Sequence, residues 1–217
     1  MLILLLSLII VILLFLVLYY AYTKIDYVII NAIDTEIELV KFKQDVKWDL
    51  IQSEPFKIYK FRNMIRIIGG VGIANGARCM EYISQNFPHA HIIVIGTCGS
   101  LRRDLKIKQM CLVEKALFWN ADYTGAGFEL GQIPFEPLYF NLNSDLKHIQ
   151  SLIHIDANIV HVVEGSADVF VMRRDDVLVR FPDVEIVNDE TASYALVAYK
   201  NNIKHLTVLQ FVSDYPS

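Results

Sequence analysis

Three short apolar runs constrain this chain most: Tyr27–Ala32 (YVIINA), His91–Ile95 (HIIVI) and Leu206–Val212 (LTVLQFV). Each is rich in Val, Ile or Leu and too short for a core helix. Such runs read as strands covered on both faces. Between them the period changes. Ile73–Gln85 reads as a helix with Ala74, Ala77, Met80 and Ile83 inward, and Ser144–Ile153 and Thr191–Tyr199 read as two more. Phe56–Phe61 and Met64–Ile68 predict a hairpin through Arg62-Asn63, and Gln109–Phe118 and Ile159–Val163 add strands. This alternation predicts an α/β fold: a mixed, largely parallel central sheet with helices on both faces.

In open sheets of this kind ligands bind beyond the carboxyl ends of the strands. Ala32–Glu36, Gly69–Gly72, Gly96–Ser100 and Ser213-Asp214 each follow a predicted strand. Their convergence predicts a site at that end. Trp119–Pro137, rich in Gly, Asp and aromatics and without periodicity, predicts a long ordered loop.

The first 22 residues stand apart. Met1–Tyr22 carries no charged side chain, and Leu2–Tyr20 is almost wholly Leu, Ile, Val, Phe and Tyr. A run of ~20 apolar residues is long enough to cross the hydrocarbon core as a helix. Tyr19, Tyr20 and Tyr22 fall where an interfacial aromatic belt belongs, with Lys24 beyond. A cleaved leader fits less well, because no basic side chain precedes the run and Ala21 stands alone. The chain therefore divides into a membrane anchor, 1–22, and an α/β domain, 23–217. Lys24, Lys41, Lys43 and Lys47 follow the span and predict a cytoplasmic domain, with export as the alternative.

A net charge of −4 gives no electrostatic footprint for nucleic acid. Cys79, Cys98 and Cys111 form neither a metal spacing nor an even disulfide set, so neither metal nor cofactor is expected.

Several motifs together resemble the nucleoside phosphorylase/nucleosidase family, most closely its methylthioadenosine/S-adenosylhomocysteine nucleosidase branch. Gly96-Thr97-Cys98-Gly99-Ser100-Leu101 is similar to the glycine loop beside the sugar, and Gly70–Ala77 to a G-I-G-x-x-N-A-A turn. From spacing alone, the first is equally a tight turn. Asn120 through Pro134 resembles a D-A-D-x-T-x-x-G-Y-x-x-G-Q-x-P loop that lines the subunit interface and the outer pocket. Ser166–Val171 looks like S-G-D-x-F-I, Asn188-Asp189-Glu190 stands at the family's E-M-E, and Ser213-Asp214 matches its S-D.

The resemblance implies a three-layer fold of that family, a homodimer and a purine nucleoside substrate. It makes Asp214 the acid that protonates the leaving base and Glu36 the activator of water, with Asp34 and Glu38 as nearby alternatives. Read without the family, Asp214 is a helix N-cap and Glu36 part of an acidic first turn. Glu190 would hold the ribose hydroxyls, with Asp189 as an additional acid beside the sugar. Phe170 would stack on the purine and Val171 meet its edge, with Thr97 and Ser213 lining the site.

Water is the expected nucleophile. Family phosphorylases carry an Arg before the glycine loop, where Val94 stands here, and burying an unpaired dianion is costly. A phosphorylase with other phosphate ligands and a non-catalytic nucleoside-binding protein are the alternatives. Family members continue through a further helix after S-D, whereas Asp214 is followed only by Tyr215, Pro216 and Ser217. The expectation is a more solvated Asp214.

Overall fold

A computed structural model describes Ile12 and residues 24–143 and 145–217. The predicted anchor, 1–22, lies outside the described residues apart from Ile12. Among the described residues no helix is long and apolar enough to cross a membrane.

The strands are β1 (Tyr27–Asn31), β2 (Asp49–Gln52), β3 (Lys57–Phe61), β4 (Met64–Ile68), β5 (His91–Ser100), β6 (Met110–Phe118), β7 (Phe140–Asn141), β8 (Val160–Ser166), β9 (Ile186–Asn188) and β10 (Leu206–Asp214). They form one mixed sheet in the order β10-β6-β8-β9-β5-β1-β4-β3-β2, with β7 beside β6. The parallel pairings are β1 with β4 and β5, β10 with β5, and β8 with β6 and β9. The β3–β4 hairpin forms as expected, with Arg62 left-handed at its turn.

β10 pairs with both β5 and β6, and the last residues of β5 pair antiparallel with β9. Strands β5, β10, β6, β8 and β9 therefore close into a ring. This corrects two expectations. Gly96–Ser100 is not a loop after a strand but the second half of β5, and Asp214 lies within β10 rather than beyond it or at a helix cap. The physical reason is close approach: a Cβ at Gly96 would stand 2.8 Å from Gln210 Oε1. Small residues here let β5 keep pairing as it curves.

Helices α1 (Ile73–Asn86) and α3 (Thr191–Lys200) cover one face; α2 (Asp175–Leu178) is a single turn. Cys79, Met80 and Ile83 of α1 and Tyr194 and Ala198 of α3 bury their side chains against Val28, Ile30, Ile67, Ile92, Val94 and Val208. The other face, around Ile29, Ile93, Leu112 and Leu209, is covered by Val40 and by Ile149 and Ile153. Its layer is made of 3₁₀ turns, at Asp34–Leu39 and Ile149–Ser151, instead of long helices. The helix predicted over 144–153 is thus largely absent. Asp145 N–H donates to Asn143 Oδ1 and Lys147 N–H to Asp145 Oδ1, both at 3.0 Å, and such local bonds compete with a helical start.

Candidate active site

Every residue given a role in the expected chemistry lines one cleft at the carboxyl ends of β1, β4, β5, β8, β9 and β10, whereas the alternatives Asp34 and Glu38 do not. Glu36, Asp189, Glu190 and Asp214 supply its carboxyls; Thr97, Phe170, Val171 and Ser213 complete its walls with Val71, Cys98 and Val187. Among the described lining residues there is no Lys, Arg or His.

Glu36 is the third residue of the 3₁₀ turn after β1, and it folds back on the start of that turn. Its Oε2 accepts the N–H groups of Ala32 at 2.7 Å and Ile33 at 3.1 Å, and its Oε1 accepts the Thr97 hydroxyl at 3.4 Å. Asp34, the neighbouring alternative, is turned to a different partner. Arg66, buried in the apolar strand β4, donates from Nη2 to Asp34 Oδ1 at 2.7 Å and to the Asp34 carbonyl, and from Nε to Asn31 Oδ1 at 2.9 Å. Asn31 in turn donates to the Ile95 carbonyl at 2.7 Å. Arg66 and Asn31 therefore brace the turn that presents Glu36. Sequence reasoning passed over both, although a lone cation inside MIRII was a usable signal. Burial pushes the Glu36 carboxyl above its ordinary range, against the pull of its backbone donors.

Glu190 is the N-cap of α3. Its Oε1 accepts the Gly72 N–H at 2.8 Å, and Asn188 Nδ2 approaches Oε2 at 3.3 Å. Burial, with the negative charges of Asp189 and Glu36 added, pushes it up to about 7 despite the Gly72 bond. Gly72 makes that contact with φ +98°, where a Cβ would stand 2.7 Å from Asp168 Oδ1. Asp168 Oδ1 accepts the Ile73 N–H at 2.7 Å and so caps α1. Asp189, raised first by burial and then by Asp168, faces the same side. Asn188, which departs from the family's Glu, organises the head of α3. Its Oδ1 accepts the Ser166 hydroxyl at 2.8 Å and the Thr191 N–H at 3.1 Å.

Asp214 is partly exposed at the end of β10, opposite Gly99 in register. The Ser213 hydroxyl donates to its Oδ1 at 2.6 Å and lies 3.1 Å from the Cys98 carbonyl. Cys98 is buried, and the Cys111 thiol beside it, with burial, holds it protonated. It is wall, not nucleophile.

Phe170 follows β8 with 71% of its surface exposed, while Val171 is buried. The segment is held from an unanticipated side: Ser217 N–H donates to the Met172 carbonyl at 2.9 Å and Arg174 N–H to the Ser217 carbonyl at 3.0 Å. The loop 119–137 is ordered, with Gly131 N–H bonded to the Ala121 carbonyl at 2.8 Å. None of its residues lines the cleft of this chain.

The arrangement gives a buried base candidate, a buried hydroxyl acceptor and a more open carboxyl around a space with a bare aromatic wall. Known proteins resemble the chain in sequence and in fold. The chain is 28% identical over 185 residues to the 5′-methylthioadenosine/S-adenosylhomocysteine nucleosidase of Oceanobacillus iheyensis, covering 80% of each. It is 27% identical over 195 residues to that of Staphylococcus carnosus, covering 86% of this chain and 85% of the relative. Two solved structures share its fold. The Neisseria meningitidis nucleosidase in complex with methylthio-immucillin-A has a TM-score of 0.72 at 22% identity, covering 87% of this chain and 85% of that one. Futalosine hydrolase of Helicobacter pylori has a TM-score of 0.72 at 20% identity, covering 88% and 84%. The sequence profile of the phosphorylase superfamily matches residues 26–217, from just before β1 through β10 and every cleft residue, and the chain belongs to that superfamily.

Proposed function

We propose that this protein is a purine nucleosidase that hydrolyses the N-glycosidic bond, with methylthioadenosine or S-adenosylhomocysteine as substrate and adenine as product. The observation that carries this reading is the cleft itself, where four carboxyls meet and no lining cation offers phosphate a partner. The names of the relatives above support the substrate class.

In this reading the bond from C1′ to the base nitrogen breaks as Asp214 gives its proton to N7 of the purine. The sugar becomes oxocarbenium-like, and water adds to C1′ while Glu36 takes its proton. Burial raises Glu36 toward the pKa at which a carboxylate abstracts a proton well near neutrality. Glu190 accepts the ribose hydroxyls, since an ionised carboxylate is an acceptor on both oxygens. Asp189 adds a second acid at the sugar, Phe170 stacks on the base and Val171 bounds its edge. Thr97 steadies Glu36, and Ser213 orients Asp214 through the 2.6 Å bond.

The domain 23–217 carries this chemistry. The apolar segment 1–22 anchors it to a membrane, with the domain on the cytoplasmic side. A homodimer is the assembly, and it gives the exposed Phe135, Val169, Met172 and Val179 a place to be covered.

The test is adenine release from methylthioadenosine by the full chain in phosphate-free buffer. Release at a rate that added phosphate leaves unchanged supports hydrolysis. A requirement for phosphate would make the protein a phosphorylase, and ligand-induced stabilisation without turnover would make it a binding protein.

A further inference from the structure

Beneath the first turn of α3 lies a group that this chemistry leaves unused. Glu164 sits in β8 opposite Ala116 of β6 and Ile186 of β9, with 0% of its surface exposed. Buried carboxyls in folded proteins are paired or hydrogen-bonded. Here neither Glu164 oxygen has a partner, and Gln210 Oε1 has none either. The polar side chains facing the carboxyl are Thr191, the residue after Glu190, and Gln210, four residues before Asp214.

The donors around this cluster are committed. Gln210 Nε2 donates to Thr191 Oγ1 at 3.1 Å, and Asn188 Nδ2 donates to the same oxygen at 2.8 Å. With both lone pairs occupied, the Thr191 hydroxyl can accept no further hydrogen bond, and it is one of the side chains that face the Glu164 carboxyl. Gln210 Oε1 lies against Gly96, where even a Cβ would be 2.8 Å away, so that side offers it no side-chain donor. Glu164 and Gln210 Oε1 are thus buried acceptors that lack a donor. One proton on Glu164 supplies the missing donor.

We propose that Glu164 is a positioning residue that works in its protonated form: its hydrogen bridges to Gln210, and through Gln210 and Thr191 it ties the strand bearing Asp214 to the helix headed by Glu190. The charge environment agrees. The titratable groups facing Glu164 are Glu190 at the head of α3, Cys111 on β6 and Cys98 on β5. All are acids, and none supplies a positive charge that would favour an ionised Glu164. Burial pushes the Glu164 carboxyl up to about 8, with Glu190 and Cys111 adding to the rise and Thr191 and Gln210 opposing it. A neutral Glu164 also leaves Glu190 free to ionise and accept hydroxyls. This last role rests on the nucleosidase reading; the proton on Glu164 does not.

The experiment compares the full chain with Glu164→Gln, whose amide also donates, and with Glu164→Leu, which cannot. Infrared difference spectra at neutral pH, wild type minus Glu164→Gln, should show a protonated carboxyl band that fades with a midpoint near pH 8. Because the folded pKa lies above the ordinary 4.5, stability is full below that value and is lost as pH rises toward about 8. The wild-type Tm should therefore fall over that window relative to Glu164→Gln. In turnover, Glu164→Leu should lower kcat/KM by ~10-fold or more. Wild-type kcat/KM should decline as pH rises through about 8, and Glu164→Gln should keep wild-type turnover at neutral pH and abolish that decline.

A missing carboxyl band, or Tm and kcat/KM profiles that Glu164→Gln leaves unaltered, would overturn the proposal. If Glu164→Leu does not fold, the Gln variant decides alone. Wild-type protein that shows the band and the Tm slope but no turnover would refute the nucleosidase reading and leave the protonated tie standing.

Discussion

Glu190 Oε1 accepts the backbone N–H of Gly72 at 2.8 Å across 118 residues of sequence. The bond ties the loop after β4 to the head of α3, so the acceptor proposed for the sugar is held by backbone. Gly72 can supply that N–H because it adopts φ +98°, ψ 163°, a region that side chains other than glycine's avoid. Gly72→Ala should cost ~1–3 kcal/mol and lower Tm by roughly 3–10 °C. KM should rise in the same variant. Thermal unfolding and steady-state kinetics check both.

The raised pKa of Glu190 predicts a pH limb in binding. Below about 7 the group is protonated and loses an acceptor lone pair, so kcat/KM should fall as pH drops through about 7. Glu190→Gln should raise KM and flatten that limb. A limb that persists unchanged in the variant would assign it to another group.

Asp214→Asn keeps the shape of the proposed acid and removes its proton. Adenine release should fall by ~100-fold or more, the scale of one general acid, with Tm little changed because Asp214 is partly exposed. Chromatographic detection of free adenine decides the matter.

Phe170 buries little of its side chain, with 71% of its surface exposed. Phe170→Ala should leave Tm within a degree or so and raise KM about tenfold, the scale of lost base stacking. A large fall in Tm would instead identify Phe170 as a packing residue.

The strand ends that build the site were legible in the sequence, whereas the roles expected of its residues came from the family resemblance. The cleft gathers Glu36, Glu190 and Asp214 with all five other residues singled out. Pairing partners distant in sequence were harder to read. Gly96–Ser100 carries the composition of a loop, and only its bonding to β10 and β9 makes it strand. β9, three residues long, and β2, four, are too brief to show a period. Residues 145–153 hold helix formers, yet side-chain acceptors at Asn143 and Asp145 capture the first donors. Arg66 and Glu164 look like interruptions within apolar strands, and the network each serves exists only once the sheet has formed.

The closed ring of β5, β10, β6, β8 and β9 has a consequence for how this protein can diversify. The carboxyls at Glu190 and Asp214 stand on members of that circuit or directly beside them, so none can shift without disturbing strands on both sides. Phe170 and its neighbours hang outside it, fastened by Met172, Arg174 and Ser217. On the proposed assignment of roles, substitution in this segment would change recognition and leave the reacting geometry intact, so new substrates would cost this framework little rebuilding.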